Sequence, residues 1–276
     1  MKESRLYSFI DNKSGFTLHF LEGTKLISDL NNIHQIGPNA LDYYRQTVLT
    51  AQQMITFLKS GENLGLYIDS EEPYFRFKIE TNHSGLMRTL LLPEEFTEFP
   101  KTITGMARIS KVLTSAQPYT SVIKLNNEKA SEVINNLLRD SYQTNSRVII
   151  SDHLDQSVMI TKLPKVDIKK VIEDSEDISM SEYINKMDAI INDVFNKHSD
   201  DIEYFVQTFE NHNLTYLGSK EVKFFCPCSK ERMLTNLLTL GANDLDHVFE
   251  EDEKIEMRCD YCNKVYYITK EDAQRH

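Results

Sequence analysis

From Pro38 to Leu58 the apolar positions Leu41, Tyr44, Val48, Ala51, Ile55 and Leu58 recur three and four residues apart, the spacing of one helix face. Pro38 and Asn39 supply start signals and Gly61 a stop. A second helix is predicted from Glu128 to about Ser141, turning Val133, Leu137 and Leu138 inward. Elsewhere the period drops to two. Phe16, Leu18 and Phe20, then Leu64, Leu66 and Ile68, then Phe75, Phe77 and Ile79, and later Val158, Ile160 and Leu163 read as half-buried strands. Strands and helices interleave without a regular βαβ repeat, so the predicted fold class is α+β.

Further along, Met180, Tyr183, Ile184, Met187, Ile190, Ile191, Val194 and Phe195 fall on a single helical stripe, with Glu182, Lys186, Asp188, Asn192 and Asp193 opposite. A second amphipathic stretch, Ile202 to Phe209, follows the cap signal Ser199-Asp200-Asp201. Isolated helices of this length are marginal in water. The stripe must therefore lie on something, and the N-terminal domain is the expected support.

Charge refines this plan. The 276 residues carry a formal charge of −11, distributed as zero over 1–165, −8 over 166–213 and −3 over 222–276. The expected organisation is a mixed strand and helix N-terminal domain at 1–165, an acidic helical linker at 166–221 and a small C-terminal module at 222–276. The run Glu173-Asp174-Ser175-Glu176-Asp177 reads as a solvated face or a helix-start signal. The acidic balance argues against nucleic acid and anionic lipid, which need clustered Lys and Arg. No apolar run approaches the roughly 20 residues of a membrane span. Met1 to Asn12 alternates polar and apolar residues instead of building a signal-peptide core, so a soluble, cytoplasmic protein is expected.

The first 225 residues contain no cysteine, and all four lie in the third segment. Cys226-Pro227-Cys228 is followed by 30 residues and then by Cys259-Asp260-Tyr261-Cys262. Two tight thiol pairs across a short folded insertion suit tetrahedral Zn²⁺, each turn supplying two thiolates. Lys223, Lys230, Arg232, Arg258 and Lys264 flank the pairs. Within the insertion Ser229 is placed to cap a helix bearing Met233, Leu237 and Leu238, Gly241 to end it, and Ile255–Met257 and Val265–Ile268 to form strands. Such a site commonly just folds a small domain, and a redox sensor is the sharper alternative. The C-x-C half favours the second reading, because closing Cys226 on Cys228 makes a small ring constrained by Pro227, and strained bridges are the more oxidising ones. A thioredoxin-like enzyme would open a helix with Cys-x-x-Cys, whereas Cys259 and Cys262 sit between two strand-like runs. The eight histidines, His247 included, form no cluster with carboxylates or nucleophiles, and no catalytic residue is expected.

Cys226-Pro-Cys228-Ser-Lys-Glu231-Arg232, Leu237, Leu240-Gly241, Asp244-Leu245, Ile255-Glu-Met-Arg-Cys259-Asp-Tyr-Cys262 and Tyr266 together closely resemble the zinc-binding C-terminus of the redox-regulated bacterial heat-shock holdases, the 33 kDa chaperonin family. The resemblance extends more loosely to Arg5-Leu-Tyr-Ser-Phe-Ile, to Leu58-Lys59-Ser-Gly61-Glu62-Asn-Leu64 and to Gln156–Pro164. The family's serine-glutamate-glutamine motif reads Ser141-Tyr142-Gln143 here, and a glycine pair before Gln156 is absent.

The resemblance implies a chaperone, not an enzyme, that binds unfolding and oxidatively damaged proteins. It would be idle when reduced with one Zn²⁺ on Cys226, Cys228, Cys259 and Cys262, and active once the metal is lost. Capture of a sulfenate by its neighbouring thiol implies the bridges Cys226–Cys228 and Cys259–Cys262. The acidic linker would uncover its stripe of Tyr183, Ile184, Met187, Ile190, Ile191, Val194 and Phe195. A monomer when reduced and a homodimer when oxidised are implied. The competing expectation is an unregulated interaction protein with a purely structural four-cysteine zinc module.

Overall fold

The computed structural model describes residues 2–34, 36–72, 74–93, 100–112, 117–164, 176–197, 202–240, 247–249 and 253–274. The chain divides into two compact units, Met1–Phe224 and Phe225–His276. The acidic stretch expected as a linker belongs, in its described part, to the first of these.

The first unit holds two sheets. One has five antiparallel strands, β1 (Arg5–Asp11), β2 (Phe16–Glu22), β8 (Ser146–Ile150), β9 (Gln156–Lys162) and β10 (Thr215–Glu221), in the order β10-β1-β2-β9-β8. The other orders β11 (Lys223–Phe224), β5 (Leu86–Leu92), β4 (Tyr74–Asn82), β3 (Asn63–Glu71), β6 (Ile103–Val112) and β7 (Tyr119–Glu128), with β11 and β5 parallel. The α+β reading holds. The strands predicted at 16–20, 64–68, 75–79 and 158–160 all form, while Leu163 lies just beyond β9.

Helix α1 (Thr24–His34), which the sequence reading passed over, joins α2 (Pro38–Gln53) and α3 (Ala130–Asp140) in the main core. There Leu26, Leu30, Tyr44, Val48, Val133 and Leu137 pack with Leu66, Phe77 and Ile109 of the larger sheet and with Leu6, Leu21 and Met159 of the smaller one. Two boundaries differ from expectation. The helix begun at Pro38 does not continue to Leu58 but tightens into a 3₁₀ turn at Met54–Phe57, and Gly61, at φ +80°, lies in the turn beyond it. Glu128 ends β7 instead of opening α3, whose N-cap is Lys129 in an extended conformation.

The smaller sheet is buried on both faces. Period-two alternation turns Leu21 towards the main core and Phe16, Leu18 and Phe20 to the opposite side. That side is covered by α4 (Met180–Phe195) and α5 (Ile202–Glu210). The cap signal at 199–201 lies outside the described residues. In the second unit, α6 (Lys230–Leu237) packs beside the hairpin of β12 (Lys254–Arg258) and β13 (Val265–Thr269), which is followed by α7 (Lys270–Gln274). Among the described residues no helix is long and apolar enough to cross a membrane.

Candidate metal centre

The first cysteine turn leads into α6. Ser229 caps that helix, its hydroxyl accepting from the Arg232 N–H at 3.3 Å, so Cys228 stands one residue outside the helix. Gly241, the expected stop, lies outside the described residues. The second pair sits in the β12–β13 turn. There the Cys259 N–H donates to the Lys264 carbonyl at 3.0 Å, and the Cys262 and Asn263 N–H groups return to the Cys259 carbonyl at 3.3 and 2.8 Å. Asn263 accepts the left-handed conformation this demands, at φ 58°. Beneath the turns lies a small core of Leu234, Leu237, Phe249 and Ile268.

These elements bring the four sulfurs within 4.8 Å of one another. All four are free thiols, Cys259 buried and the others half-buried. The separations across the pairs are 3.7 Å from Cys226 to Cys259 and 3.3 Å from Cys228 to Cys262. Four sulfurs around a tetrahedral zinc stand about 3.8 Å apart for bonds of about 2.3 Å. The donor set and its spacing therefore fit a thiophilic divalent ion, and the cluster can hold a metal. His247 is exposed and stands outside this set.

Without a cation the protons are unevenly held. Burial opposes charge on Cys228, yet hydrogen bonds from Tyr266 and the three other thiols outweigh it and bring that thiol down to about 7. Burial pushes Cys259 and Cys262 up, against backbone N–H groups of Tyr261 and Lys264 that point at their sulfurs. One negative charge is tolerated and the next resisted, which is what a divalent ion relieves. The flanking cations contribute less than their positions suggest. Lys230 is paired with Asp272 at 2.7 Å and Lys223 with Glu221 at 2.7 Å.

The apolar stripe is equally well defined. Tyr183, Met187, Ile190, Ile191, Val194 and Phe195 are buried and Ile184 is half-buried. They pack with Phe9, Phe16, Leu18, Phe20, Val158 and Ile160. A capping box starts α4: Ser179 accepts from the Glu182 N–H at 3.3 Å, and Glu182 accepts from the Ser179 N–H at 2.7 Å. From α5, Phe205 and Phe209 lie 4.6 and 4.7 Å from Phe20 and Phe9. Sequence reasoning did not foresee the ionic fringe. Glu176 meets Lys13 at 2.7 Å and Lys186 at 3.4 Å, and Lys162 meets Asp177 at 3.1 Å. The described end of the acidic run is thus paired, and 173–175 lie outside the described residues.

The chain matches a chaperone family, which is not an enzyme class. The family described as Hsp33 protein matches residues 4–269, and the chain belongs to that family. It is similar to the 33 kDa chaperonin of Aquifex aeolicus, 21% identical over 93% of this chain and 84% of the relative, and to that of Acholeplasma laidlawii, 22% identical over 100% and 98%. The fold is shared with the crystal structure of the 33 kDa chaperonin from Thermotoga maritima, at a TM-score of 0.73 and 14% identity over 100% of this chain and 97% of that one. Membership makes binding of unfolded client proteins its function.

Proposed function

We propose that the chain is a redox-regulated holdase, held idle by one Zn²⁺ on Cys226, Cys228, Cys259 and Cys262 and activated by oxidation of these thiols. The observation that carries this is the convergence of the four sulfurs within 4.8 Å. When bound, the metal supplies a cross-link between two cysteine turns, contributing about 10–16 kcal/mol of apparent binding energy in small modules. That is as large as the net stability of a whole domain, about 5–15 kcal/mol. Among the described residues the module's buried apolar cluster is Leu234, Leu237, Phe249 and Ile268, and small modules of this kind generally need a metal or other cross-link to fold.

A peroxide oxidises one thiolate to a sulfenic acid, and the neighbouring thiol attacks that sulfur, forming the disulfide and expelling water. Two peroxides thus close Cys226–Cys228 and Cys259–Cys262, and the site loses its ligands. With the module unfolded, α4 and α5 within the 166–221 linker detach, while β10 at its end stays paired with β1. Lifting α4 and α5 exposes both the stripe and the aromatic face of β1, β2 and β9, a surface that binds unfolded chains without sequence preference. The acidic residues keep the complex soluble. The reduced protein is a monomer and the oxidised one a homodimer, acting in the cytoplasm.

The test follows zinc release and suppression of a model protein's aggregation together, before and after peroxide at elevated temperature. Activity should appear only as zinc is lost. Full activity in reductant would mean an unregulated holdase with a structural site, and a folded, metal-loaded, unaltered protein after strong oxidant would refute the switch.

A further inference from the structure

In the second cysteine turn, backbone N–H groups of Tyr261 and Lys264 point at the sulfurs. In the first, a side chain from elsewhere in the module reaches the Cys228 sulfur. Tyr266, on β13, puts its hydroxyl 3.1 Å from the Cys228 sulfur and 3.0 Å from the Cys228 carbonyl oxygen. The ring is half-buried, paired across the hairpin with Met257, and the Lys264 amine lies 5.3 Å from its centroid. One side chain therefore joins the strand that follows the second cysteine pair to the last cysteine of the first.

We infer that Tyr266 is a positioning residue of the metal centre, its hydroxyl holding Cys228 in ligating geometry and drawing electron density from that sulfur. This rests on the reduced, metal-bound state proposed above. With Cys228 a thiol, the hydroxyl accepts the S–H and donates to the carbonyl. With Cys228 a thiolate ligand, the phenolic proton is shared between sulfur and carbonyl, and the ligand's excess charge is spread. Groups that orient ligands in this way change metal affinity about 10–100-fold when removed.

Tyr266→Phe keeps the ring and deletes the hydroxyl. In the reduced full-length protein, competition with a chromophoric chelator should show zinc held at least about ten-fold more weakly. In the cobalt-substituted protein the sulfur-to-metal charge-transfer band should move to lower energy, because the Cys228 sulfur regains electron density. Tyr267→Phe, at the neighbouring exposed ring, should change neither. Placing 3,5-difluorotyrosine at position 266, which keeps the shape and strengthens the donor, should move the band the other way, and this settles the matter even where Tyr266→Phe fails to fold. Affinity within two-fold of wild type, or a band indifferent to both replacements, would overturn the assignment. Wild-type protein that binds no zinc in reductant would instead sink the proposed function, so the two failures are distinguishable.

Discussion

The rings of Phe16 on β2 and Tyr183 on α4 lie face to face, centroids 3.9 Å apart and planes 5° from parallel. Tyr183 is fully buried, and its hydroxyl lies beside the Asp11 carboxylate without forming a hydrogen bond of good geometry. Burial, followed by the nearby Asp11 carboxylate, pushes that hydroxyl's pKa up. The aromatic stack, not the hydroxyl, is what docks the helix. Tyr183→Ala should cost about 3–5 kcal/mol, whereas Tyr183→Phe should leave docking intact or strengthen it by up to about 1 kcal/mol. Hydrogen exchange of the α4 amides in reduced protein distinguishes them, and equal protection loss in both variants would contradict the account.

Ile190 and Ile191 are buried beside this stack and Ile184 is half-buried. Replacing all three by alanine should loosen α4 and give the reduced protein partial aggregation-suppressing activity. The ionic fringe should matter less, since exposed pairs are worth about 0–1 kcal/mol each. Glu176→Gln, which removes the contacts to Lys13 and Lys186, should barely raise reduced-state activity. Unchanged idleness of the triple variant would count against a covering role for α4.

Metal removal should act locally. Treating reduced protein with a strong chelator should collapse the dispersed amide resonances of 225–276 and shift those of α4 and α5 as they lift, while those of the main core between the sheets and α1–α3, built without the thiols, stay in place. Simultaneous loss of both sets would show that the first unit also needs the metal.

Across the pairs the Cys228 and Cys262 sulfurs stand 3.3 Å apart and those of Cys226 and Cys259 3.7 Å, so the folded module offers cross-pair closure as well as closure within a pair. Bridges within the pairs require the turns to relax as they oxidise. Peptide mapping after peroxide should find Cys226–Cys228 and Cys259–Cys262. Predominant Cys228–Cys262 linkage would mean that oxidation traps the folded geometry instead of releasing it.

His19, on β2 with its Nδ1 3.0 Å from the Ser8 hydroxyl, is pushed down to about 4 by burial. The folded state thus keeps this ring neutral where an unfolded chain, with a histidine pKa near 6.5, already takes up a proton. Stability is complete above about pH 6.5 and falls as the pH drops towards 4, by at most about 1.4 kcal/mol per pH unit from this group. His19→Gln should flatten that stretch of the denaturation midpoint profile. An unchanged slope would place the acid sensitivity elsewhere.

Much of this organisation is written locally. The spacing of Cys226, Cys228, Cys259 and Cys262 states a ligand set, because short turns fix how two thiols can present themselves. The rhythm from Met180 to Phe195 states a one-sided helix, because 3.6 residues per turn sorts side chains whatever lies opposite. Ser229 is legible for the same reason, its hydroxyl satisfying an amide within the first turn of its own helix, whereas the Ser179–Glu182 box went unread. What tertiary structure alone decided is who meets whom. The alternation of Phe16, Leu18 and Phe20 marks a buried face without saying that α4 and α5 cover it. Tyr183 could have stacked on any aromatic ring, and the approach of Tyr266 to Cys228 spans 38 positions with no periodic trace. Periodicity records the geometry of one element, whereas partnership depends on how distant elements exclude water together, and no short-range pattern carries that information.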